Sequence, residues 1–237
     1  MIHEHLFSAL ERALAGLVRH FVEMPDAFAH RADLLAAAQH LLMGTAELAR
    51  PYTTRDGRRV SLVHCHWPSY LCAEPPAPSY DLAVLDPSFV RGRELAVVYN
   101  RAGQGGRLLR ALPAEDRPWP LLAVLALRLV EELSPGVLDG LEETWQLLAQ
   151  AEQEARRSYL LLFCRHWDLE AQILPARERL ERWAASYPEI PFVVVQAFYD
   201  DIGRVSGGRY WNLWTHMAPL PPLDSLPPTV RRPGGHP

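Results

Sequence analysis

Two uninterrupted apolar runs, SYLLLFCRH at 158–166 and IPFVVVQAFY at 190–199, constrain this chain more than any other feature. A strand with one wet face alternates apolar and polar residues, so runs without alternation belong to strands covered on both faces. Between them, PARERLERWAASY opens with Pro175 and has helical spacing. Strand, helix, strand in that order is a parallel crossover, which implies a sheet held between helical layers.

The preceding chain supplies the rest of such a fold. Leu6, Leu10, Leu14, Leu17 and Phe21 recur at helical spacing, and a second helix over 31–48 repeats the pattern through Leu34, Leu35, Leu41 and Leu42. TTRDGRR turns the chain at Asp56-Gly57. Three strand-like runs follow at short spacing, RVSLVHCHW, YDLAVLD and RELAVVYN, and connections this short favour antiparallel neighbours. WPLLAVLALRLVEEL, apolar on nearly all sides, reads as a buried helix, and a further helix spans roughly 138–156. GGRYWNLWTHM pairs as a last strand with the run before it, sending Tyr210, Trp214 and His216 to one side. From Ala218 onward seven prolines exclude helix and central strand. The expectation is one three-layer α/β domain over 1–217 with a helical part at 1–50. Its mixed sheet is an antiparallel three-strand meander followed by αβαβ crossovers, and a disordered or extended proline-rich tail occupies 218–237.

Composition narrows the function classes. Twenty-eight acidic and 24 basic residues give a net charge of −4 and are interspersed along the chain, so nucleic acid is a poor default partner. The longest apolar stretch is broken by Arg128, Glu131 and Glu132, too early to span a bilayer, and the N-terminus is acidic and amphipathic where a signal peptide is basic. Cys65, Cys72 and Cys164 are too few and too scattered for a disulfide framework. A cytoplasmic protein with a protein partner and no membrane is expected. All 24 basic residues are arginine, which excludes Schiff-base and lysine-base chemistry. The abundance of Ala, Arg, Pro and Gly makes a GC-rich genome a sufficient cause, and avoidance of amine acylation is the alternative.

The residues that could carry chemistry sit at strand ends. His64 and His66 share a face if the strand is regular, as do Cys164 and His166, and adjacent strand ends would make the four a tetrahedral zinc set. Asp81 is a further candidate ligand. The cofactor expectation is therefore none, or zinc. NRAGQGGR lacks the spacing of a dinucleotide or phosphate-binding loop and reads as a turn.

Three family resemblances accompany these residues. HCHWPSYLCAEPPAPSYDLAVL resembles the JAMM zinc isopeptidases, which implies His64 and His66 as ligands with Ser79 and Asp81 as the following Ser-Asp pair. The loop is longer than in that family, Ser79 and Asp81 are one residue too close, and no upstream glutamate is offered. The element order also resembles the restriction-endonuclease-like fold, implying Asp81 or Asp86 as the acid of the second strand. The Glu-x-Lys pair is missing from RELAVVYN, which points to a degenerate relative. Finally, Gly234-Gly235 in TVRRPGGHP is similar to the processed end of ubiquitin-like proteins and, with the absence of lysine, implies a place in such a pathway. The leading expectation is a non-catalytic interaction protein whose edge hairpin, through Tyr210 and Trp214, and tail contact a protein partner.

Overall fold

The computed structural model describes residues 2–71, 78–131, 134–166, 178–183, 185–190, 192–199 and 205–212. Helices α1 (Ile2–Glu23), α2 (Arg31–Met43) and α3 (Ala46–Ala49) come first. A two-stranded hairpin follows, β1 (Tyr52–Thr53) with β2 (Arg59–Val60), turned by Gly57 at φ +79. Then come β3 (Val63–Pro68), β4 (Ser79–Leu85), α4 (Pro87–Gly92), α5 (Leu95–Val98), α6 (Gln104–Ala111) and β5 (Leu121–Val130). The chain continues through α7 (Pro135–Gln150), β6 (Ala155–His166), β7 (Phe192–Tyr199) and β8 (Val205–Asn212), with residues 178–183 and 185–186 helical between β6 and β7.

The six strands β3 to β8 lie in the sheet in the order of the sequence. β3, β4 and β5 form the antiparallel meander. β5, β6 and β7 are parallel, and β8 returns antiparallel at the far edge. Alternate residues of β6 show the three layers. On one side the Arg157 guanidinium lies 3.6 Å from the Phe7 ring centroid and Phe163 packs on Phe21 at 5.0 Å, both against α1. On the other, the Ser158 hydroxyl donates to the Leu148 carbonyl of α7 at 3.1 Å, and Trp145 of α7 packs on Phe192 of β7 at 4.6 Å. Each apolar run is thus buried twice, which is why it does not alternate.

Two segments exchange roles relative to the sequence reading. RELAVVYN contains the short helix α5, and the third strand of the meander is β5, inside the run that reads as a buried helix. Leu121–Leu127 is buried throughout, and a strand enclosed between β4, β6 and two helical layers has the same all-round apolar pattern as an enclosed helix. Four apolar residues between Glu94 and Tyr99 are too few to pair usefully beside β4, whose free edge β5 takes. RVSLVHCHW likewise divides, its first two residues pairing with β1 and Val63 onward forming β3.

Candidate functional site

β3 carries the two histidines, but not as a matched pair. His64 is partly buried; its Nε2 lies 2.8 Å from the Ser61 carbonyl, and its ring packs on Trp67 at 4.7 Å and Tyr99 at 5.7 Å. Burial lowers its pKa, partly opposed by the Ser61 contact. His66 is exposed and has φ +51, so the regular alternation that would put both rings on one face fails there. Between them, the Cys65 thiol pKa is raised by burial and by the charge of Asp81, the reverse of what a nucleophile or metal thiolate needs.

Asp81 stands on β4 between Leu82 and Tyr80, which pair with Cys65 and Trp67. Its Oδ1 pairs with Arg31 of α2, and its Oδ2 accepts from Arg128 at 2.8 Å and from the Leu127 backbone at 2.6 Å. Arg31 also donates to the Leu127 carbonyl at 3.1 Å, and Arg128 to the Thr144 hydroxyl at 2.7 Å. One carboxylate therefore ties α2, β4, β5 and α7 together. A cation placed on it would face two guanidinium charges. The third strand of the meander, β5, bears no carboxylate to complete a nuclease pair with Asp81.

The structure does not bring His64 and His66 together with Cys164 and His166. β4 and β5 lie between β3 and β6, three strand spacings or about 14 Å. Register adds to the gap: His64 is level with Ala83, Val124 and Ser158, and Cys164 lies roughly 20 Å further along β6. The adjacency needed for a four-ligand zinc set is therefore corrected by the sheet order. Cys164 is buried and its thiol donates to the Glu131 carbonyl at 3.7 Å. His166 ends β6, and its side chain lies outside the described residues. Among the described residues no group of three His, Cys, Asp or Glu is arranged to hold a metal ion. Ser79 opens β4 opposite Pro68.

Tyr210 lies in β8 opposite Val195, with its side chain outside the described residues. Trp214, Gly234, Gly235 and the tail over 218–237 lie outside them altogether. No helix among the described residues is long and apolar enough to cross a membrane.

Two further acids are buried: Asp86, which the sequence offers only as a nuclease-like acid, and Glu154, which sequence reasoning passed over. Asp86 caps α4 by accepting from Ser88 N at 2.7 Å, and it pairs with Arg156 at 2.6 Å and His3 at 3.3 Å. Glu154, fully buried just before β6, accepts from the Tyr70 backbone at 2.6 Å and from the Tyr80 hydroxyl. Burial raises its pKa, and the donors Tyr80, Ser69, Tyr70 and Leu71 oppose the rise. The Tyr70 hydroxyl in turn donates to the Val98 carbonyl. Nothing local in GLN-GLU-ALA at 153–155 distinguishes this acid from the exposed Glu152 beside it. Only the fold does. No family model, no curated protein and no solved structure matches this chain.

Proposed function

We propose that the chain is a non-catalytic component of a multi-protein assembly, located in the cytoplasm, that takes a protein partner along the β8 edge. The observation that carries this reading is the position of β8. It closes the sheet and pairs, among the described residues, with β7 alone. No described strand pairs with its other edge, which would offer backbone donors and acceptors to an added strand. Tyr210 belongs to this edge strand and Trp214 follows it closely, both residue types that anchor interfaces.

The described residues with chemical potential support the same reading because they are engaged structurally. His64 is packed in an aromatic stack, Asp81 is held by two arginines, and Cys164 is buried against a carbonyl. Reduced Cys65 and Cys164 fit a reducing compartment.

The test is purification of the tagged full chain from its native host after cross-linking, identification of the attached protein, and titration of that protein against variants. Tyr210→Ala with Trp214→Ala, and deletion of 218–237, should weaken binding at least about tenfold with unchanged thermal unfolding. A chain that purifies alone, or variants that bind as tightly as the parent, would refute the reading.

A further inference from the structure

The fold gathers arginines that the sequence spreads out. Residues 50–60 and 87–112 hold nine of the 24 arginines and two acids, Asp56 and Glu94. These two stretches form one lobe. The Arg55 N–H donates to the Arg93 carbonyl at 2.9 Å, the Leu95 N–H donates to Asp56 at 3.1 Å, and Arg91 lies over the Tyr52 ring at 4.9 Å.

Both acids of the lobe are taken up in holding it together. Asp56 accepts from the Thr54 hydroxyl at 2.6 Å as well as from Leu95, and Glu94 pairs with Arg55 at 2.5 Å. Beyond Arg55, only Arg58 feels one of these acids, through the nearby charge of Asp56. Arg58, Arg59, Arg91, Arg101, Arg107 and Arg110 are exposed, and none forms a salt bridge to a carboxylate among the described residues. Arg50 and Tyr52, at the lobe's edge, also line an open groove of about 340 Å³ with His5 and Glu47. Glu47 is itself paired with Arg12 at 3.0 Å.

The remainder of the chain carries fifteen arginines against twenty-six acids. Basic charge is therefore concentrated in these two stretches although the net charge is only −4. We infer that this arginine lobe is a docking surface for an acidic segment of a protein partner, whose carboxylates pair with the exposed guanidiniums. Arginine suits this because its planar fork meets a carboxylate with two parallel hydrogen bonds. A short acidic segment fits the lobe by itself. A long nucleic acid would have to continue past the acidic remainder, where each phosphate meets repulsion within a Debye length of about 10 Å at 0.1 M salt. The lobe adjoins β3, where Tyr99 packs on His64 and Trp67, at the opposite end of the sheet from β8, so it is a second surface and does not depend on the β8 reading.

The experiment is fluorescence anisotropy of a labelled oligoglutamate peptide and a labelled oligothymidylate with the full chain. We expect the peptide to bind, salt to weaken it, and Arg58→Glu, Arg59→Glu, Arg101→Glu and Arg107→Glu together to weaken it at least about tenfold. The neutral Arg58→Gln, Arg59→Gln pair keeps the test valid if the quadruple variant does not fold, and should weaken binding about threefold. The Tyr210→Ala, Trp214→Ala variant should bind the peptide normally, which separates this surface from the β8 edge. No peptide binding, equal binding by the arginine variants, or tighter binding of oligothymidylate would overturn the proposal, the last in favour of a nucleic-acid site.

Discussion

Replacing Glu154 by alanine would strip its donors, among them the buried Tyr70 N–H and Tyr80 hydroxyl, of their acceptor at once. An unsatisfied buried donor costs about 1–3 kcal/mol, and the deleted side chain leaves a void, so Glu154→Ala should lose about 3–5 kcal/mol. Glu154→Gln is a different perturbation. Its amide oxygen can accept from Tyr70 while its NH₂ donates to the Tyr80 hydroxyl oxygen, and the cost should stay below about 1.5 kcal/mol. The pH profile separates the two contributions further. Burial raises the pKa of Glu154 above the ordinary 4.5 despite its donors, so the folded state holds this proton more tightly than the unfolded state does. Stability from this group is therefore greatest below the unfolded pKa, declines as pH climbs towards the folded pKa, and is level above it. Glutamine does not titrate, so the stability difference, parent minus Glu154→Gln, should fall with rising pH through that window. Urea unfolding followed by tryptophan fluorescence at a series of pH values measures it. An alanine loss under about 1 kcal/mol, or a glutamine variant with the parent's pH slope, would refute the reasoning.

Asp81→Asn should destabilise by about 2–4 kcal/mol, mostly through Arg128, because Arg31 is half exposed and its share is screened by solvent; the midpoint of urea unfolding reports it. Gly106→Ala would put a Cβ 2.3 Å from the Tyr70 carbonyl oxygen, a backbone atom that cannot swing away, and should cost about 1–3 kcal/mol in thermal unfolding. An unchanged melting temperature would mean that α6 does not rest on Tyr70. His64→Ala should lose about 1–2 kcal/mol from the Ser61 contact and the Trp67 stack while leaving the zinc content of the purified protein unaltered; a fall in zinc would restore His64 as a ligand.

The legible parts of this fold were those governed by local pattern. The apolar face of α1 and the double burial of β6 and β7 follow from spacing alone, and Asp56-Gly57 marks its turn because Gly57 needs a positive φ. β5 and α5 were exchanged because periodicity vanishes once an element is covered on all sides, leaving strand and helix indistinguishable in Leu121–Leu127. The histidine pair misled for a different reason. His64 and His66 are two apart in sequence, but one residue at φ +51 uncouples them, and strand order, which no local pattern encodes, separates them from Cys164. The arginine lobe was hidden by averaging: charges interspersed along the chain are segregated only when β1 and β2 dock on α4 and α5.

Because each strand of the large sheet lies beside its sequence neighbour, the sheet can grow in step with synthesis. The meander can close once the α4–α6 excursion between β4 and β5 has been made, and β6, β7 and β8 then add one at a time to an edge already present. α1 is the exception. Made before the sheet, it packs first on α2 and α3, but it also packs against β6, β7 and β8, so part of its apolar surface must wait for the later strands. A nascent chain halted before residue 192 would leave uncovered the part of α1 that β7 and β8 cover, so the docking of those strands on α1 is a late closing contact of the fold.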